Sequence, residues 1–429
     1  MKSVKFIIPL LLTAAVMLGA TGCPTQNFFD PSNDSSDWGS DVLTSVSTTP
    51  PVDEKSDEEI FTDNMADFAV KLFQKSVSDK QNSMISPLSV MLALAMTANG
   101  ADGKTLAQME TLLGGGIPLD QLNEYLYGYA KNLPNESKAK LGIANSIWFR
   151  DSNYVKVYPE FLQKNADYYG AEVFETLSNP QAVRDINNWA KEKTDGMIDN
   201  IIEKIDGDSM MYLINAVVFD AEWQRGYKTY EIKNDNFTNI NGKTKITEFM
   251  NSSEYRYIED GRAIGFIKPY AGGGYSFAAL LPNKDIPIGE YINSLTGAGL
   301  VHTLRNAQNI EVIATMPKFK YKYSVEMKTA LSALGIPDAF SASRADFSKM
   351  GTALQGPILI HDVLHKTFIA VDELGTRAGA ITAVATTVSG IMPEKPKPKI
   401  VKLNRPFVFA IIENATNLPI FIGTLMDVS

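Results

Sequence analysis

Glu373-Leu-Gly-Thr-Arg-Ala-Gly-Ala-Ile-Thr-Ala-Val-Ala-Thr-Thr-Val-Ser-Gly-Ile-Met-Pro393 carries no charge between Arg377 and Glu394. Small and β-branched residues fill it, which is the composition of a strand. Read alternately, Thr376, Ala378, Ala380, Thr382, Val384, Thr386 and Val388 form one uncharged face. Arg377, Gly379, Ile381, Ala383, Ala385, Thr387 and Ser389 form the other. A strand built only for a core carries larger residues, and a loop built only for water carries more polar ones. This run is tolerable in both places. A segment with two homes can act as a switch.

Working outward, the chain has 429 residues, 45% of them apolar, enough for one large domain or two. Formal net charge is −9, and losing Lys2 and Lys5 with a leader takes it to about −11. With no long basic block, nucleic-acid binding is disfavoured. Cys23 is the single cysteine, so no disulfide forms within the chain.

The first 22 residues read as an export leader. Lys2 and Lys5 open it, Phe6 to Leu18 is its apolar core, and Leu18-Gly-Ala-Thr-Gly-Cys23 ends it. A lone cysteine there resembles the acylation site of bacterial lipoproteins, with Gly22 before it and Ala20 where leucine is usual. An ordinary cleaved signal is the alternative. Residues 23–57 are rich in Ser, Thr, Asp, Asn and Pro and read as a disordered tether. As a flexible coil of roughly 35 residues it spans ~30 Å.

From Glu58 the apolar spacing turns helical at Ile60, Phe61, Phe68, Leu72 and Phe73. Ser86-Pro87 marks a capped helix start. Further helices are expected from Gly103, over 119–133, 187–193, 287–296, 298–305 and 324–334. Strands are expected over 144–150, 211–219, 229–238, 243–250, 254–259, 262–269, 275–281, 310–321, 358–372, 399–403, 406–412 and 419–426. No repeat and no second linker break this part, so one large α+β domain over 58–429 is expected.

Catalytic and ligand motifs are weak. Ala98 to Thr105 matches a phosphate loop loosely, but a helix rather than a strand precedes it. A helix–turn–helix corner is the better reading. His361 and His365 sit four apart in β-branched surroundings, too far apart on a strand for one small ion. A hydrogen-bonded core role suits His365. Gly-x-Ser-x-Gly does not occur. The Gly272–Gly274 run reads as a hairpin turn. Trp148, Trp189 and Trp223 read as core. No enzyme activity, cofactor or metal is expected.

Several segments, taken in order, resemble the serpins. They are Asn82-Ser-Met-Ile-Ser86-Pro87-Leu-Ser89, Gly100 to Met109, Asn145-Ser-Ile-Trp-Phe-Arg150 and Ile186-Asn-Asn-Trp189 with Thr194 to Ile202. Leu213-Ile-Asn215-Ala with Trp223, Met316-Pro-Lys-Phe-Lys320, Leu334-Gly335, Ala345-Asp-Phe-Ser348, Leu364-His365-Lys366 and Asn404-Arg-Pro-Phe407 follow. The resemblance covers residues 58 to 429.

It implies about nine helices around three β-sheets and an exposed reactive loop, here about residues 373–398. It also implies suicide inhibition. A protease cuts the loop and forms an acyl-enzyme, and the loop then inserts as a strand in the main sheet. About 15 residues at ~3.3 Å each carry the protease roughly 50 Å. Glu373, Gly375, Thr376, Ala378, Ala380 and Thr382 match the hinge, small and uncharged where they face inward. No proline lies between Glu373 and Met392, so no ladder donor is missing. Ser86, Ser89, Asn215, Trp223 and His365 match the family's sheet-opening region. Counting seventeen residues from Glu373 places the reactive bond at Ser389-Gly390, with Thr387, Val388 and Ile391 as neighbouring alternatives. Small and aliphatic residues around the bond suit elastase-like or subtilisin-like serine proteases, with papain-like cysteine proteases as a further class. The resulting expectation is a monomeric protease inhibitor, lipid-anchored through Cys23 at the bacterial cell envelope or surface. A non-inhibitory serpin-fold binder or protease decoy is the alternative.

Overall fold

The computed structural model describes residues 56–150, 154–175, 180–205, 211–354, 356–361, 363–376 and 397–428. Among these, nine α-helices surround three large sheets and a two-stranded ribbon.

Strands from the second half of the chain, joined by Ser83–Ile85, build a deeply buried six-stranded sheet. Its order is Ser83–Ile85, Pro419–Leu425, Phe407–Glu413, Tyr275–Pro282, Ala263–Pro269 and Arg256–Glu259, antiparallel throughout. Tyr275–Pro282, Phe407–Glu413 and Pro419–Leu425 are buried at every position, which explains their continuous apolar runs. Gly272 and Gly273 have positive φ and close the hairpin into Tyr275–Pro282, as their sequence suggests.

Helix Pro87–Ala98 is apolar on all sides because it packs both on this sheet and on the main sheet. The Ser86 hydroxyl caps it by accepting from the Ser89 amide at 3.3 Å, and Pro87 takes the first turn. Asp57–Ser76 begins at a full capping box, with the Ser56 side chain and Glu59 exchanging bonds.

The main sheet runs Phe319–Glu326, Leu364–Val371, Gly375–Thr376, Met211–Glu222, Ala139–Phe149 and Glu172–Glu175. The third sheet runs Lys399–Lys402, Val312–Pro317, Thr244–Glu254 and Ile232–Thr238.

Several local expectations need correction; residues 229–231 form a 3-10 turn, and the strand expected from 229 begins at Ile232. Residues 324–326 extend strand Phe319–Glu326, and the helix starts only at Lys328. Pairing with Leu364–Val371 holds the strand there, overriding helical spacing. Residues 358–361 lie outside any strand, which begins at Leu364. Helix Pro159–Tyr169 was not anticipated; its buried face is only Phe161, Asn165 and Tyr169, so its apolar signal is thin. The loose phosphate-loop match is a helix corner: Gly103–Gly114 starts there, and Lys104 pairs with Asp338 at 3.2 Å.

Candidate functional site: the slot in the main sheet

Gly375–Thr376 is a strand of two residues wedged between two long ones. Gly375 faces Glu222 and Thr376 faces Ala221, while Val371 pairs with Thr376 on the other side. Among the described residues, no further ladder lies between Met211–Glu222 and Leu364–Val371. A cleft of 1040 Å³ lies between their far ends, lined by Ser89, Tyr212, Asn215, Leu364 and His365 among others. Gly375–Thr376 thus stands as a short strand at the head of this cleft, and the chain runs on from it into 377–396, outside the described residues.

The wedge is held firmly. A Cβ on Gly375 would stand 1.9 Å from the Ala221 carbonyl oxygen, so only glycine fits. Thr376 is 3% exposed, and its hydroxyl shares a hydrogen bond with the Tyr270 hydroxyl. Trp223 stacks on Tyr270 with ring centroids 4.5 Å apart. The Trp223 indole N–H donates to the Asp372 carbonyl and its backbone N–H to the Leu374 carbonyl, both at 2.8 Å. The Tyr227 amide donates to the Glu373 carbonyl at 2.9 Å.

Glu373 also makes a side-chain link. Lys318 Nζ lies 2.8 Å from it and 3.1 Å from Glu248. The Lys318 hydrogen bond holds the Glu373 carboxyl below its usual pKa. In a Glu373→Lys variant two ammonium groups meet here. We expect its thermal midpoint to fall by a few degrees, and its conversion to loop-inserted or polymeric forms to accelerate. Adding Lys318→Glu should restore only part of this, because Glu248 then faces a carboxylate. An unchanged conversion rate in Glu373→Lys would show that the pair does not restrain the wedge.

Midway down the slot, four of the five residues assigned to sheet opening converge. The Ser86 amide donates to His365 Nε2 at 3.0 Å. The Ser89 hydroxyl donates to Asn215 Oδ1. Helix Pro87–Ala98 and its cap Ser86 thus reach both long strands, Ser86 to His365 and Ser89 to Asn215. Trp223 does not join them; it sits at the wedge. Two residues not assigned from sequence extend the network. Asn215 Nδ2 donates to Asn145 Oδ1 at 2.6 Å, and Asn145 Nδ2 donates to the Tyr169 carbonyl at 2.7 Å. Asn145 opens a quoted family segment, but nothing in its flanks marks it as a partner of Asn215. Tyr270, Lys318 and Asp372 were likewise missed, since each acts through a contact distant in sequence. Ala378, Ala380, Thr382, Thr387, Val388, Ser389, Gly390, Ile391 and Cys23 lie outside the described residues.

Burial drives the His365 pKa down to about 4 from 6.5. The neutral ring accepts from Ser86, and protonation removes that acceptor. The unfolded chain takes up a proton near pH 6.5 while the folded chain resists until about 4. Stability is therefore level above pH 6.5 and falls as pH drops through that window, by up to about 3 kcal/mol from this group. His365→Gln should flatten this share of the pH dependence, and His365→Ala should speed latency or polymerisation. Denaturant midpoints between pH 4 and 8 check the first. An unchanged conversion rate in His365→Ala would count against a gating role.

The serpin (serine protease inhibitor) family model matches residues 63–428, and the chain belongs to that family. Members are mostly protease inhibitors rather than catalysts. The native-state crystal structure of the thermophilic serpin tengpin is 54% identical, with a TM-score of 0.82, covering 88% of this chain and 96% of tengpin. The latent state of tengpin gives 50% identity and a TM-score of 0.78, covering 88% and 100%. Leukocyte elastase inhibitor A of Mus musculus is 29% identical over 377 residues, 83% of this chain and 96% of its own.

Proposed function

We propose that the chain is an inhibitory serpin that traps serine proteases as covalent acyl-enzymes. The observation that carries this reading is the Gly375–Thr376 strand at the head of a cleft between two long strands, followed in sequence by a segment whose alternate positions are small and uncharged. Cleavage at Ser389-Gly390 frees the loop, which extends the wedge into a full strand and carries the bound protease away. The native state is thus kinetically held, with a strand's worth of pairing withheld until cleavage. Elastase-like and subtilisin-like enzymes suit the small residues around the bond, and kinship to a leukocyte elastase inhibitor supports that class. Papain-like cysteine proteases are a further target class. Residues 1–22 act as leader, acylated Cys23 anchors the protein at the cell envelope or surface, and residues 23–57 form the tether ahead of a monomeric inhibitor domain.

The test mixes residues 56–429 with neutrophil-type elastase and with a subtilisin, followed by denaturing gels and intact mass spectrometry. A covalent complex near one-to-one, with a released peptide beginning at Gly390, supports trapping and the bond. Complete cleavage without complex by both enzymes favours the decoy role.

A further inference from the structure

A lysine shut off from water sits where the three large sheets meet. Lys268 belongs to strand Ala263–Pro269 and is 1% exposed. Its Nζ lies 2.8 Å from Glu254 Oε1, and Glu254, the last residue of third-sheet strand Thr244–Glu254, is itself buried. The Ser252 hydroxyl donates to the same carboxylate oxygen at 2.6 Å. The ammonium also donates to the Arg225 carbonyl at 3.2 Å. It stands 5.3 Å from the centre of the Trp223 ring and 4.5 Å from that of Tyr227. Attraction between a cation and an aromatic face is strongest where both are dry.

These contacts converge on one segment. Residues 223–227 leave main-sheet strand Met211–Glu222 and hold the turn that leads into Gly375–Thr376. The Trp223 indole bonds to Asp372, the Trp223 amide to Leu374 and the Tyr227 amide to Glu373. Lys268 grips the same segment at its middle, through the Arg225 carbonyl, and at both ends, through the two rings. The fit is close: a Cβ on Gly226 would stand 3.2 Å from the Glu373 carbonyl oxygen. The nearby charges Arg225 and Glu231 pair with each other, so Glu254 is the counter-charge that Lys268 meets.

A buried ion pair adds little to stability. Taking both charges out of water costs about as much as their attraction returns, and neutral groups of similar volume commonly do as well or better. Geometry is what the pair fixes. The ammonium keeps all its partners only while Glu254, the Arg225 carbonyl and both rings stand together. Opening of 223–227 leaves two buried charges with fewer partners, so the pair penalises opening more than it favours folding.

We propose that Lys268 and Glu254 are positioning residues for the loop: their ion pair pins residues 223–227, and through them the turn 372–375, and so restrains conversion of the native protein to loop-inserted forms before any protease arrives. This rests on the reading of the native state as kinetically held.

The test compares the full mature chain with its E254Q/K268M variant, which removes both charges and keeps both side-chain lengths. Lys268→Met alone strands a buried carboxylate and loses stability for that reason. The thermal midpoint of the double variant should stay within about 3 °C of the parent or rise. Amide exchange in peptides spanning 223–227, read by mass spectrometry, should be about tenfold faster in the variant, with exchange in Tyr275–Pro282 unchanged. Conversion to loop-inserted or polymeric forms on warming should also accelerate about tenfold. Equal exchange at 223–227 in the two proteins overturns the pin. Faster exchange with an unchanged conversion rate overturns the restraint. A midpoint that falls well below the parent assigns the pair to ordinary stability and overturns the proposal as well. If neither protein converts below its unfolding midpoint, loop insertion is rejected and the restraint with it, while the exchange rates still decide the pin.

Discussion

The Thr382→Arg variant is expected to be cut by target proteases at the wild-type rate and to trap almost none of them. The wedge sets the register. Gly375 faces Glu222 and Thr376 faces Ala221, and across the other edge Thr376 faces Val371. Continuing both ladders places Thr382 opposite Asn215 on one strand and His365 on the other. It shares the inward face of Thr376, which is buried. Inserted Thr382 therefore arrives at the network of Ser86, Ser89, Asn215 and His365. A guanidinium there meets neutral groups and no carboxylate within that network. Burying an unpaired charge costs several kcal/mol, and each 1.4 kcal/mol on the insertion barrier slows it about tenfold. Hydrolysis of the acyl-enzyme then precedes translocation. Titration against active protease should show complex yield falling below about a tenth, with loop cleavage unimpaired. Thr382→Val should retain most trapping, because shape is kept and no charge enters. Full trapping by Thr382→Arg would reject the extended register.

Cleaving the loop should raise the thermal midpoint by roughly 10–15 °C. Insertion supplies about ten new ladder hydrogen bonds at ~1 kcal/mol each, and it covers the sides of two strands that now face a cleft. About 10 kcal/mol in a domain of this size moves the midpoint by roughly that amount. Calorimetry on intact and loop-nicked protein checks it, with mass spectrometry confirming a single cut. An unchanged midpoint after a clean cut would mean that the loop does not insert, which is the signature of a decoy.

Much of the site was legible from sequence, and the reasons are local. Ser86-Pro87 is a cap signal, and the structure shows the cap. The uncharged alternation after Arg377 is visible in any strand-period reading. Asn215 and His365 stood out within quoted family segments. Asn145, Tyr270 and Lys318 did not, because each matters through a partner 55 to 106 residues away. Trp223 was grouped with the sheet-opening residues, yet its bonds go to Asp372 and Leu374 at the wedge. No periodicity encodes that distinction.

Composition and spacing alone determined an α+β chain, its buried C-terminal strands, the capped central helix and a segment acceptable both in water and in a sheet. These follow from short-range rules of period, capping and charge. Only the tertiary structure decided that Gly375–Thr376 pairs between Met211–Glu222 and Leu364–Val371, and that helix Pro87–Ala98 with its cap Ser86 bonds to both of these strands. Strand pairing joins residues far apart in sequence, and the choice between a filled and an unfilled slot is a balance of global packing that no local window contains.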